Sequence, residues 1–202
     1  MRFAYAARAS TQFAQHAKHS DNQDESAVDG YQGTWLTRVL AALRANMQPG
    51  DVLAVVNVAG GLTYYETNPL HRWWREDVLR DTVRARNASL VLFGDNPFLN
   101  RPATTCRTNH NLCHTDGEQT ALRASNDAAL LAFADGQQDV HAFIQAHLWE
   151  SPAGEHFWGQ IPGTTTNGYF DDGHLLAVGA LYLWPYICSA FSQWGFFDTQ
   201  GS

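Results

Sequence analysis

The sequence predicts a layered α/β fold built on a parallel sheet. Two continuous apolar runs of strand length, Asp51–Asn57 and Ala88–Phe93, lack the alternation of a half-exposed strand. Such runs suit strands covered on both faces. Segments with helical apolar spacing precede, separate and follow them. The resulting order is helix–strand–helix–strand–helix–strand–helix, the alternation that yields parallel sheets with packed helices.

Each element has a local reason. Thr34–Met47 places Trp35, Val39, Leu40 and Leu43 on one helical face, with Thr34 as N-cap and Pro49-Gly50 as the stop. Ala59-Gly60-Gly61 breaks the first strand. Leu70–Arg86 is predicted as a second helix that offers Trp73, Trp74, Leu79 and Val83 for burial. The second strand stops at Gly94-Asp95-Asn96-Pro97, and a long loop is expected from Phe98 to about Asp116. Glu118–Ala134 reads as the third helix and Gln138–Ile144 as a weaker third strand. Glu150–Gly168, rich in Gly, Pro and Thr, is expected to be loop, and Leu175 to about Gln193 the last helix. Chemistry in such sheets gathers outside the carboxyl ends of the strands. Asn57, Asp95 and Asn96 stand at those predicted ends.

The 202 residues fit one domain, divided here into an irregular lead-in (1–30), an α/β domain (31–195) and a tail (196–202). Charged residues are only 16% of the chain, against a usual ~25%, so seven Trp and eleven Phe need burial. The net charge of −7 and the absence of a Lys/Arg cluster exclude a nucleic-acid partner. The arginines between Arg72 and Arg86 are interleaved with Glu76, Asp77 and Asp81, which reads as a solvated helix face. Leu175–Phe197 carries no charge over 23 positions, long enough to span a bilayer. Pro185, Ser189, Ser192 and Gln193 interrupt it, and a packed helix over the sheet is the expectation.

The candidate chemistry lies in Tyr169-Phe170-Asp171-Asp172-Gly173-His174-Leu175. Residues three apart on a tight turn point the same way. Asp171 can therefore orient the His174 imidazole, and the imidazole can take a proton from a hydroxyl nucleophile. The same letters also suit a polar loop that caps the last helix. A second cluster, Cys106 to His114, holds Cys106, His110, Cys113 and His114. Its spacing fits structural zinc poorly and suits a short Cys106–Cys113 disulfide better, with Cys188 a lone thiol. Trp149 and Trp158 in the late loop are candidates to line a sugar site.

Asn167-Gly168-Tyr169-Phe170-Asp171-Asp172-Gly173-His174-Leu175-Leu176-Ala177-Val178-Gly179-Ala180, continuing into Leu183-Trp184-Pro185-Tyr186, resembles the final block of SGNH-type domains. It is most similar to those associated with integral-membrane acyltransferases that O-acetylate cell-surface sugars. Met47–Val56 and Leu90–Phe98 resemble two earlier stretches of the same family, so the likeness runs from about residue 33 to 192. The resemblance implies a flavodoxin-like, three-layer parallel sheet and a Ser-His-Asp triad. Carried over, His174 is the general base and Asp171 its orienting partner, with Asp172 a competing acid one residue closer. Asn57 is the residue chosen for the oxyanion hole and Gly60 a second, weaker choice; a glycine turn with Asn as a cap is the plainer reading of that stretch. The family also carries cysteines near Cys106. No cofactor is implied. The implied partners are an acyl donor or a glycan ester and a membrane acyltransferase, as a partner or as a fused domain outside this chain. The implied location is outside the cytoplasm or in a secretory lumen.

One departure is large. The family places its nucleophile in a Gly-Asp-Ser turn after the first strand, and no Gly-Asp-Ser occurs here. Gly50-Asp51 is followed by Val and Gly94-Asp95 by Asn. The expectation is an incomplete sheet whose first strand and serine lie upstream, with Arg2–Ala7 as a poor substitute strand. The rival expectations are a non-catalytic binding or interaction relative and a zinc-dependent hydrolase built on Cys106–His114.

Overall fold

The structure is a computed structural model, and it describes residues 3–4, 40–56, 76–108, 117–149, 159–171 and 173–197. Its strands are β1 (Phe3–Ala4), β2 (Val52–Val56), β3 (Ser89–Phe93) and β4 (Val140–Phe143). They form one parallel sheet in the order β1-β2-β3-β4. Its helices are α1 (described over 40–46), α2 (Glu76–Arg84), α3 (Ala103–Thr108), α4 (Gly117–Ala134) and α5 (Ala177–Gln193), with a 3-10 turn at Ala146–Trp149. This is an open parallel sheet with helices, an α/β fold. The strand order runs in sequence without a reversal among the described strands, so it establishes that class and not the flavodoxin-like arrangement.

The apolar runs form strands because both of their faces find cover. Leu53 and Val55 of β2 and Leu90 and Leu92 of β3 share a core with Leu40, Leu43 and Met47, with Leu79 and Val83 of α2 and with Leu130 of α4. The alternate residues Val52, Val91 and Phe93 pack with Phe143 and with Phe191 of α5. Side chains alternate across a strand, so one uninterrupted apolar run serves both cores. Register is carried by Val52↔Ser89 through Val56↔Phe93 and by Leu90↔Val140 through Phe93↔Phe143.

The lead-ins extend the ladder at the amino edge. Gly50 N–H donates to Asn87 O at 2.9 Å, and Leu90 N–H to Asp139 O at 2.8 Å. Gly50 makes the turn into β2 at φ +81°, a left-handed conformation that glycine adopts without a side-chain clash. Arg84 grips Asp139 with two bonds, Nε to Oδ2 at 2.7 Å and Nη2 to Oδ1 at 2.6 Å, tying α2 to the start of β4. A surface depression of about 660 Å³ opens at this amino edge, lined in part by Arg84, Ser89, Gln137 and Asp139.

Within Arg2–Ala7, the stretch offered as a poor substitute strand, Phe3–Ala4 pairs with Val52 and Leu53 as a two-residue strand. Three expectations are corrected. The loop expected after Phe98 contains α3, which continues directly from Pro102. Phe196 and Phe197, assigned to the tail, pack on the Phe191 core; the Phe191 and Phe196 ring centroids are 5.4 Å apart. Trp149, offered as a sugar-binding ring, is 1% exposed and belongs to the core with Tyr169, Leu99 and Leu183. Trp158, Trp35, Trp73 and Trp74 lie outside the described residues.

Candidate functional site

Residues 167–171 and 173–176 form the two arms of a small hairpin ahead of α5. Tyr169 and Leu175 face each other in an antiparallel bridge, and Phe170 N–H donates to His174 O at 2.8 Å. Asp171 opens the turn. Its Oδ1 accepts from the N–H of Gly173 at 2.9 Å and of His174 at 2.7 Å. Aspartate favours turns through such bonds to the backbone two and three residues ahead. Its other oxygen, Oδ2, lies 2.7 Å from His174 Nδ1.

One side chain therefore builds the turn and holds the imidazole. Partial burial pushes the Asp171 carboxyl up, but the bonds from Gly173 N–H, His174 N–H and the imidazole outweigh it and hold the group below its ordinary range. The carboxylate is then ionised at neutral pH and can only accept. In the neutral imidazole that assigns the proton to Nδ1 and leaves Nε2 as an acceptor. The His174 side chain is 56% exposed, so Nε2 is open to a group arriving from solvent. Among the described residues no hydroxyl hydrogen-bonds His174.

The hairpin packs on the chain that leaves the carboxyl end of β3. Tyr169 Oη donates to Pro97 O at 3.0 Å, and Ala103 N–H to Asp171 O at 3.2 Å. Gly173 lies so close to the Phe98 ring that a Cβ there would overlap it. The pair thus sits against the carboxyl edge of the sheet, the edge at which ligands bind in open α/β sheets. The surface depression at Arg84 is at the opposite ends of the same strands.

Beneath that edge lies a buried polar group that sequence reasoning did not assemble. Asp95, after β3, is 7% exposed, and Arg123, Asn126 and Asp127 of α4 are 7%, 0% and 8% exposed. Burial first, and then the charge of Asp127, push the Asp95 carboxyl up to about 8 against the opposing pull of Arg123. Asp127 is also raised, by burial, with Arg123 opposing; the Arg123 Nε to Asp127 Oδ2 distance is 3.9 Å. Gln145 Nε2 donates to Gly94 O at 3.0 Å and fixes the strand exit. Positions 123, 126, 127 and 130 follow helical spacing, and their polar members sit on the same buried stripe as Leu130. That pattern was the signal available in the sequence.

Asn57, Gly60, Asp172 and Cys113 lie outside the described residues. Cys106 is disulfide-bonded and Cys188 is a free thiol, so Cys106 has no thiolate to offer zinc. Among the described residues no three His, Cys, Asp or Glu side chains gather as a metal site, and no helix is long and apolar enough to cross a membrane. Comparison with family models, with curated proteins and with solved structures finds no match to this chain.

Proposed function

We propose that this chain carries the histidine–aspartate part of an SGNH-type site that transfers or hydrolyses acyl esters of a glycan, on a sheet of flavodoxin-like arrangement. The observation that supports the reading is the 2.7 Å contact of Asp171 Oδ2 with His174 Nδ1, on a hairpin packed against the exit of β3. In the proposed reaction His174 Nε2 removes the proton of a serine hydroxyl as its oxygen attacks the ester carbonyl carbon. Collapse of the tetrahedral intermediate breaks the acyl C–O bond, and the same nitrogen returns the proton to the departing sugar oxygen. Water or an acceptor hydroxyl then takes the acyl group by the same proton route. Asp171 stays ionised throughout and steadies the imidazolium. Asn57 and Gly60 are the proposed donors to the oxyanion. The serine is proposed to come from outside this chain, with a membrane acyltransferase as its source or neighbour.

A second reading is a non-catalytic relative that binds the glycan ester. The absence of Gly-Asp-Ser from the sequence favours it. Titrating an O-acetylated oligosaccharide into isotope-labelled chain tests both. The proposal expects shifts at Phe170 and His174 that the de-O-acetylated sugar does not produce, and no turnover of small acetyl esters by the 202-residue chain alone. Added to a serine-bearing partner, the chain should support turnover that falls by several orders of magnitude on His174→Ala. Ester binding with no turnover in any such mixture supports the second reading. An absent response at the hairpin removes both.

A further inference from the structure

We propose that Tyr169 is a positioning residue of this site, a strut whose phenol sets the Asp171–His174 pair against the carboxyl edge of β3. The inference rests on the reading of that pair as the site, and adds the group that aims it. A two-stranded hairpin is marginal by itself. Among the described residues this one has a single antiparallel bridge and two backbone bonds between its arms, Phe170 N–H to His174 O and Leu176 N–H to Gly168 O, so much of its geometry comes from what it touches. Tyr169 is its most deeply held member, at 0% exposure. The Trp149 and Tyr182 rings continue the packing, with Tyr169 and Trp149 centroids 5.1 Å apart and edge to face.

The acceptor of the strut is firmly placed. Pro97 O follows three residues after Gly94, whose N–H donates to Phe143 O at 2.9 Å and whose carbonyl is held by Gln145. Asn167 clamps the other side. Its Nδ2 donates to Tyr169 O at 2.7 Å and its Oδ1 accepts from Tyr169 N–H at 3.2 Å. Two residues beyond Tyr169 stands Asp171, so movement of the ring's anchor is passed to the carboxylate through one short strand.

The test is Tyr169→Phe, which keeps the ring and removes the bond to Pro97 O. Two nuclear magnetic resonance readouts report the aim of the pair: the Asp171 carboxyl titration and the His174 ring-nitrogen tautomer. The expected result is an Asp171 midpoint moved upward, toward the ordinary carboxylate range, with mixed imidazole tautomers. The Asp139 carboxyl, held low by Arg84 at the other edge, should not move and serves as the control for an intact fold. Asn167→Ala should act in the same direction and carries the test if Tyr169→Phe does not fold. Unchanged Asp171 and His174 in a folded variant overturn the strut while leaving the reading of the site intact. A wild-type chain with no response to the glycan ester overturns that reading while leaving the strut measurable.

Discussion

Asp171 holds His174 twice, through Oδ2 on the ring Nδ1 and through Oδ1 on the backbone N–H, each at 2.7 Å. The two jobs separate by substitution. Asparagine retains an oxygen for the turn, but its amide NH2 opposes the Nδ1–H and favours the other tautomer. Asp171→Asn should therefore remain close to wild-type stability while the imidazole ¹⁵N spectrum shows the tautomer reversed. Asp171→Ala should lose about 1 kcal/mol in urea denaturation, the usual worth of such bonds. The folded-state carboxyl lies below its unfolded value, so this contribution is complete above about pH 4. It is lost as pH falls through the folded pKa. The stability gap between wild type and Asp171→Ala should close in that acid range.

Gly179, in the first turn of α5, approaches Gly168 so closely that a Cβ would strike its carbonyl oxygen. Backbone cannot yield as a side-chain end can. Gly179→Ala should raise helix propensity on paper, by up to ~1 kcal/mol, and yet destabilise the protein by about 2 kcal/mol through the forced separation. Thermal melting checks the sign. A second glycine contact, Gly173 on the Phe98 ring, gives a gentler version: Gly173→Ala should be partly rescued by Phe98→Ala.

The sequence reading reached the strands best. Asp51–Asn57 and Ala88–Phe93 became Val52–Val56 and Ser89–Phe93 because an apolar run bounded by Gly and Asp has little else to be. The last helix was legible for the same reason, from Leu175 in expectation to Ala177 in the structure. α3 was not, since Ala-Thr-Thr-Cys-Arg-Thr has no apolar period and its placement depends on Ala103 meeting Asp171 O. β1, inside the Arg2–Ala7 stretch named as a poor substitute strand, has only two residues and takes its conformation from β2, so its local signal is weak. In the site, the Asp171–His174 contact follows from their spacing. The buried Asp95, Arg123 and Asp127 do not, because helix α4 and the exit of β3 meet only through the fold.

Cys106 is disulfide-bonded and Cys188 is free, in a chain with three cysteines. Thiol titration of the denatured, unreduced protein should therefore find one reactive group per chain, and three after reduction. Cys106 is 1% exposed and packs with Leu99 and Ala103 beside the hairpin's support. Reduction should accordingly lower the melting temperature. Three thiols without reductant would refute the assignment.

Asp95 makes the opposite kind of pH dependence from Asp171. Its folded-state pKa is raised to about 8 by burial and by Asp127, with Arg123 opposing. Unfolded, it titrates near 3.9. Between those values the folded protein keeps a proton that the unfolded chain releases, so rising pH favours unfolding. Below about 4 both states are protonated, and above about 8 both are ionised; the contribution changes only in between, at a slope approaching ~1.4 kcal/mol per pH unit. Asp95→Asn is neutral at every pH and removes this slope. Its stability should match wild type in acid and exceed it increasingly from pH 5 to 8, measured by urea denaturation at fixed ionic strength. Parallel curves for the two proteins across that range would show that Asp95 is ionised in the fold, with Arg123 outweighing the burial.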